Sequence, residues 1–188
     1  MRIFARTCRV TNDLSPAVFV DRDGTLMEDA DYCSDARQVH IFPGVPEALR
    51  KLKTKGYKII VITNQSGLGR GFFTLDQYRA VEAETLRQVG DGLIDATYFC
   101  PDVPGKPSKC RKPNPAMILQ AARDHHVNLR RSVFVGDKEI DAQCGRNAGV
   151  KTIRVRTGFD KVTDGSCADW VAETLPAAAK IILDLDHE

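Results

Sequence analysis

The chain has no apolar run approaching the ~18 residues that a membrane-spanning helix needs, which excludes a bilayer helix. It has little charge of either sign in excess: 27 Lys and Arg against 25 Asp and Glu leave a formal net charge of +2, mixed evenly along the sequence. That balance argues against a nucleic acid or other polyanionic polymer as partner and leaves room for a small anionic ligand. Its six cysteines (Cys8, Cys33, Cys100, Cys110, Cys144 and Cys167) are too scattered for the disulfide framework of a small secreted protein. Most are expected to be reduced thiols in a cytoplasmic protein, a setting that disfavours a disulfide between the neighbouring Cys100 and Cys110. Internal repeats and low-complexity tracts are absent. The opening MRIFARTCRVTNDLSP carries Arg2, Arg6 and Arg9 but no apolar stretch long enough for a secretory signal.

What is present reads as one α/β domain. A chain of 188 residues can bury roughly 70% of its unfolded surface in a single core. Residues 1–16 are expected to be a flexible leader and residues 17–188 a single domain. Short apolar runs recur at AVFVD (17–21), KIIVITN (58–64), ATYFC (96–100), SVFVG (132–136) and KTIRVR (151–156), and each reads as a strand. Between them lie segments of helical spacing: VPEALRKLKTKG closing on Gly56, TLDQYRAVEAETLRQVG opening on Thr74 as N-cap, and NPAMILQAARDHHV opening on Asn114. EIDAQCGRNAG and LPAAAKIILDL complete the set, and Trp170 is expected in the core after the last strand. Strand and helix alternate, so a doubly wound parallel sheet covered on both faces is expected, three layers in all.

Ligands of such sheets gather beyond the carboxyl ends of the strands. Those ends carry Asp21 and Asp23 after the first strand, Thr63 and Asn64 after the second, and Asp137 and Lys138 after the fourth, while Arg111 and Lys112 stand in a loop ahead of a helix. Three carboxylates on one rim repel each other unless a cation joins them, and an all-oxygen set suits Mg²⁺. The Thr63 hydroxyl, the Lys112 ammonium and the Arg111 guanidinium are the donors a phosphoryl group requires. Asp21, mounted rigidly at a strand end, can attack phosphorus and form an aspartyl phosphate. Gly24 lets the chain turn so that Asp23 can protonate the leaving oxygen and then take a proton from water.

DRDGT (21–25), VITNQSG (61–67), CRKP (110–113) and VGDKEID (135–141) resemble, in order, the four motifs of the haloacid dehalogenase (HAD) superfamily of phosphohydrolases. More narrowly, residues from about Ala17 to about Leu183 resemble the heptose bisphosphate phosphatase family, with the histidinol-phosphatases as its sister family. The narrower likeness is carried by DADY (29–32), NQSGLGRGFFT (64–74), CRKPNPAM, VRTG (155–158) and ADW (168–170). It implies a Rossmann-like HAD fold without a large cap domain. It also implies Asp21 as nucleophile, Asp23 as general acid/base, and Thr63 and Lys112 as holders of the phosphoryl group. Mg²⁺ would be held by the Asp21 side chain, the Asp23 main-chain carbonyl and the Asp137 side chain. Asp29, Ala30, Asp31, Tyr32, Asn64, Gln65 and Ser66 would meet the sugar, with Arg111 and Lys138 balancing charge. Arg70, in the glycine-rich turn, is a candidate for a second, non-reacting phosphate.

The expected activity is hydrolysis of a small phosphorylated sugar by a monomer that engages neither nucleic acid nor membrane. Histidinol phosphate or another small phosphorylated metabolite is the alternative substrate. A polynucleotide 3′-phosphatase shares the first motif but lacks support from any basic stripe. A non-catalytic sugar-phosphate-binding module is the alternative of another class, and the complete set Asp21, Asp23, Thr63, Lys112 and Asp137 opposes it. One departure from the family is plain. A zinc loop of the form Cys-x-His then Cys-x-Cys is usual there, whereas this chain has Asp102 in place of the His and Ser108 in place of one Cys. With only Cys100 and Cys110 left, zinc is not expected.

Overall fold

The computed structural model describes residues 14–159 and 166–185. Arg2, Arg6 and Arg9 and most of the expected leader lie outside these residues. Six parallel strands, β1 (Ala17–Val20), β2 (Lys58–Asn64), β3 (Ala96–Cys100), β4 (Val133–Gly136), β5 (Lys151–Val155) and β6 (Trp170–Ala172), form one sheet in the order β3-β2-β1-β4-β5-β6. The helices are α1 (Val45–Thr54), α2 (Ser66–Arg70), α3 (Leu75–Val89), α4 (Ala116–Asp124), α5 (Glu139–Ala148) and α6 (Leu175–Leu185).

The central strands are apolar throughout because both faces are covered. Val18, Val20, Ile59, Val61, Val133, Val135 and Ile153 point to the side packed by α1 and α6, where Leu49, Leu52, Leu175 and Ile182 close the layer. Ala17, Phe19, Ile60, Ile62 and Phe134 point to the other side, against Met117, Ile118 and Ala121 of α4 and Cys144 of α5. Alternation of side chains along each strand thus divides one hydrophobic chain into two cores. Helix α3 has a different task. Its Val81 meets Met27, Cys33 and Val39, which fixes the long β1–α1 segment over the sheet end.

Several elements differ from the sequence expectation. Trp170 opens a sixth strand at the sheet edge, partly exposed, and is not enclosed in the core. Three residues carry too short a pattern to announce a strand, and only pairing with β5 creates it. SGLGR, expected as a turn, winds into the five-residue helix α2. The α4 N-cap position falls on Pro115, one residue after the expected Asn114, although the Asn114 Oδ1 accepts from the Ala116 N–H at 3.0 Å. Thr74 does cap α3, in a capping box with Gln77. Ser15, inside the expected leader, forms a parallel bridge with Val127. No described helix is long and apolar enough to cross a membrane.

Candidate active site

In the order 3-2-1-4-5-6 the winding reverses between β1 and β4, and the crevice opens past their carboxyl ends. Asp21 follows β1 and Asp137 follows β4 at this point. Carboxylate oxygens of Asp21, Asp137 and Asp141 lie within 4.8 Å of one another, all three side chains buried. Above them a cavity of about 320 Å³ is lined by Asp21, Asp23, Asp29, Asp31, Tyr32, Thr63, Asn64, Gln65, Ser66, Arg111, Lys112 and Lys138, so the structure gathers most of the expected residues at one place.

Lys112 is the hub of the floor. Its Nζ lies 2.9 Å from Asp21 Oδ1 and 2.7 Å from Asp141 Oδ1, and donates to the Ile62 carbonyl at 2.9 Å. Three N–H groups meet three acceptors. Burial by itself would lower the Lys112 pKa, but Asp141 and Asp21 outweigh it and hold the ammonium charged. Asp21 Oδ1 also accepts from the Arg22 N–H at 2.9 Å, which fixes the carboxylate plane.

Burial pushes the Asp21 carboxyl up to about 6, against the pull of Lys112. Asp137 is driven further, to about 8, first by burial and then by repulsion from Asp21 and Asp141. Both of its carboxylate oxygens are enclosed and accept no hydrogen bond from a described residue. They are also hemmed in by glycine. A Cβ on Gly24 would stand 2.7 Å from Asp137 Oδ2, and one on Gly158 only 1.9 Å away. Orphaned oxygens, converging acids and glycine walls fit a small hard cation and fit an empty apolar core poorly.

Two further residues belong to this floor. Asp141 ends VGDKEID, where an acid can serve Lys138, a metal-bound water or the helix start. It does accept from the Lys138 main-chain N–H at 3.0 Å, but its other oxygen binds Lys112. Arg154, 2% exposed on β5, grips the Asp137 main-chain carbonyl through Nε at 3.2 Å and Nη2 at 2.8 Å, and pairs with Glu139 at 2.9 Å. The signal was an arginine in the apolar strand KTIRV, since a buried guanidinium must find acceptors.

The remaining expected residues divide. Lys138 Nζ pairs with Asp29 Oδ2 at 3.1 Å across the cavity mouth. Tyr32, in the left-handed backbone region like Asp31, meets Phe72 edge-on at 4.9 Å between ring centroids. Ala30 is not on the cavity wall and packs toward Met27 and Val39. Arg70 is exposed off the wall, its guanidinium over the Phe72 ring at 5.9 Å. Burial and then the nearby Arg70 charge lower the Arg111 pKa. Arg111 Nη1 donates to the Asp102 carbonyl at 3.1 Å, which ties the cavity wall to the preceding loop.

That loop corrects the expectation of reduced thiols: Cys100 and Cys110 are joined as a disulfide. Asp102 and Ser108 sit beside it, bonded to each other at 2.6 Å. The two chain positions that would supply thiolates to a metal are therefore used by a covalent bond to each other.

A sequence profile described as HAD-hydrolase-like matches residues 109–178. D-glycero-D-manno-heptose-1,7-bisphosphate 7-phosphatase of Thermosynechococcus vestitus is 38% identical over 187 residues, covering 89% of this chain and 95% of its own. The D-glycero-beta-D-manno-heptose-1,7-bisphosphate 7-phosphatase of Yersinia pestis is 36% identical, covering 89% of this chain and 95% of its own. Among solved structures, D,D-heptose 1,7-bisphosphate phosphatase from B. bronchiseptica, complexed with magnesium and phosphate, superposes with a TM-score of 0.79 at 30% identity, covering 90% of this chain and 99% of that one. The ordered motifs, the clustered carboxylates at the switch point and these likenesses converge: the chain belongs to the HAD-like hydrolases and, within them, to the family of D-glycero-D-manno-heptose-1,7-bisphosphate 7-phosphatases.

Proposed function

We propose that the protein is a Mg²⁺-dependent phosphomonoesterase that removes the 7-phosphate of D-glycero-D-manno-heptose 1,7-bisphosphate through an aspartyl-phosphate intermediate. The observation that carries this reading is the Asp21 carboxylate at the cavity floor, oriented by Lys112 and the Arg22 N–H and set beside Asp137, whose carboxylate oxygens accept no hydrogen bond from a described residue. Magnesium fits the side chains of Asp21 and Asp137 and the Asp23 main-chain carbonyl. When bound there it offsets the negative charge of carboxylate and phosphoryl group.

Asp21 attacks phosphorus as the bond from phosphorus to the C7 oxygen breaks. Asp23 gives its proton to that departing oxygen. It then accepts a proton from water as the water attacks the aspartyl phosphate, which releases phosphate and restores Asp21. The Thr63 hydroxyl serves the equatorial oxygens, while Lys112, its three N–H groups engaged on Asp21, Asp141 and the Ile62 carbonyl, keeps Asp21 ionised at neutral pH and lends its positive charge beside the phosphoryl group. Asp29, Asp31, Tyr32, Asn64 and Ser66 border the space for the sugar hydroxyls. Arg111, with Arg70 nearby, supplies the positive edge for the 1-phosphate.

A small phosphorylated sugar as substrate supports a cytoplasmic setting and calls for no nucleic acid or membrane as partner. Among the described residues, the Cys100–Cys110 disulfide is a feature that favours an oxidising compartment. The test is kcat/KM with Mg²⁺ for heptose 1,7-bisphosphate, heptose 7-phosphate and histidinol phosphate. Preference for the bisphosphate, reduced in Arg111→Ala and Arg70→Ala, supports the reading. Preference for histidinol phosphate replaces it with the sister activity.

A further inference from the structure

Asp23 is held from two sides. Arg22, 1% exposed, places Nε 3.2 Å from both Asp23 carboxylate oxygens and Nη2 3.0 Å from Oδ1. From the opposite side Gln65 Nε2 donates to Asp23 Oδ2 at 2.8 Å and to Thr63 Oγ1 at 2.9 Å. Both clamping groups are themselves fixed. Arg22 lies over the Tyr78 ring at 5.6 Å, with Glu82 3.9 Å from its Nη1. Gln65 is 5% exposed at the N-cap of α2, and its main-chain N–H donates to the Cys100 carbonyl at 2.7 Å.

The two hydrogens of the Gln65 amide are thereby used, one on Asp23 and one on Thr63, so its nitrogen has none left for a sugar hydroxyl. A general acid must reach the leaving oxygen within hydrogen-bond distance, and a misplacement of about 1 Å can cost 10²-fold. An aspartate two residues from the nucleophile can otherwise swing toward the same metal and phosphoryl group.

We propose that Gln65 and Arg22 are positioning residues that aim Asp23 at the leaving-group oxygen, and that Gln65 serves the acid in place of the sugar. This rests on the reading of Asp23 as general acid/base. The fork of Arg22 fixes the carboxylate plane, and Gln65 sets its rotation while coupling it to Thr63, so the acid and a phosphoryl donor move as one unit.

The test compares benzyl phosphate, whose alkoxide must be protonated as it leaves, with p-nitrophenyl phosphate, whose phenolate leaves unaided. The readout is the ratio of kcat/KM for the two esters at saturating Mg²⁺, in the parent, Asp23→Asn, Gln65→Met and Arg22→Lys, each checked for a cooperative thermal transition. Asp23→Asn is expected to lower the ratio by about 10²-fold, the ordinary contribution of general acid catalysis. Gln65→Met and Arg22→Lys are expected to lower it by about tenfold, as for a supporting contact. If Asp23→Asn lowers the ratio and Gln65→Met does not, the inference is overturned, and that is the result a sugar contact would give. If Asp23→Asn leaves the ratio unchanged, it is the acid/base reading that falls. Gln65→Met decides alone should Arg22→Lys not fold.

Discussion

Lys112 Nζ lies 2.9 Å from Asp21 Oδ1, in an ion pair whose side chains are 1% and 7% exposed. The same ammonium binds Asp141, so one buried cation separates two buried anions. Lys112→Met leaves those carboxylates facing each other without it. Loss of one partner of a buried pair costs about 3–5 kcal/mol. Urea denaturation at pH 7 is expected to show a loss of that size, shrinking as the pH falls through about 6, where Asp21 takes up a proton.

Asp21→Asn keeps the size of the nucleophile and removes its charge and reactivity. Turnover with Mg²⁺ should fall on the order of 10⁴-fold or more. The thermal midpoint should hold or rise, because burial opposes the ionised form of Asp21. Acid-quenched protein should contain no acyl phosphate. A residual rate near one-tenth of the parent would be incompatible with covalent catalysis.

The pH dependence follows from Asp21 and Asp137. Their folded-state values are raised to about 6 and about 8, above the ordinary carboxylate range, so between roughly pH 4 and 8 the folded protein binds more protons than the unfolded chain. These groups therefore weaken the metal-free fold as pH rises through that window. Magnesium needs them ionised, so its binding releases protons. Calorimetry in buffers of different ionisation enthalpy should detect that release. The Mg²⁺-induced rise in Tm should be larger at pH 8 than at pH 5.

Gly158→Ala puts a methyl where the Asp137 Oδ2 now lies 1.9 Å from the ideal Cβ position. Asp137 must turn aside. The Mg²⁺ dissociation constant, measured by titration calorimetry without substrate, should rise roughly 10–100-fold.

Closing a short loop by a disulfide stabilises a fold by roughly 2–3 kcal/mol through the unfolded chain. The double variant Cys100→Ser, Cys110→Ser should lose about that much in urea under non-reducing conditions, and reductant should bring the parent down to match. Equal stability of parent and variant, with one zinc per chain found in the parent after exhaustive dialysis, would instead identify the loop as a metal site.

The alternating apolar segments were sufficient to place β1 to β5, the long helices and the carboxylates at the strand ends, because each of these depends on residues near in sequence. Trp170 was misplaced because an edge strand of three residues exists only through its neighbour. The family likeness of NQSG offers Gln65 to the sugar; its amide contacts with Asp23 and Thr63 were not legible, because they depend on the chain direction at the start of α2.

The residue order by itself determined that two aspartates end a buried strand, that a third follows β4, and that the chemistry is phosphoryl transfer. Only the tertiary structure decided which groups meet them: Lys112 between Asp21 and Asp141, Arg154 on the Asp137 carbonyl, glycine against its carboxylate. The physical reason is range. A strand end is set by the local apolar period, whereas the partner of a buried charge is whichever donor distant segments bring within 3 Å or so once the layers pack.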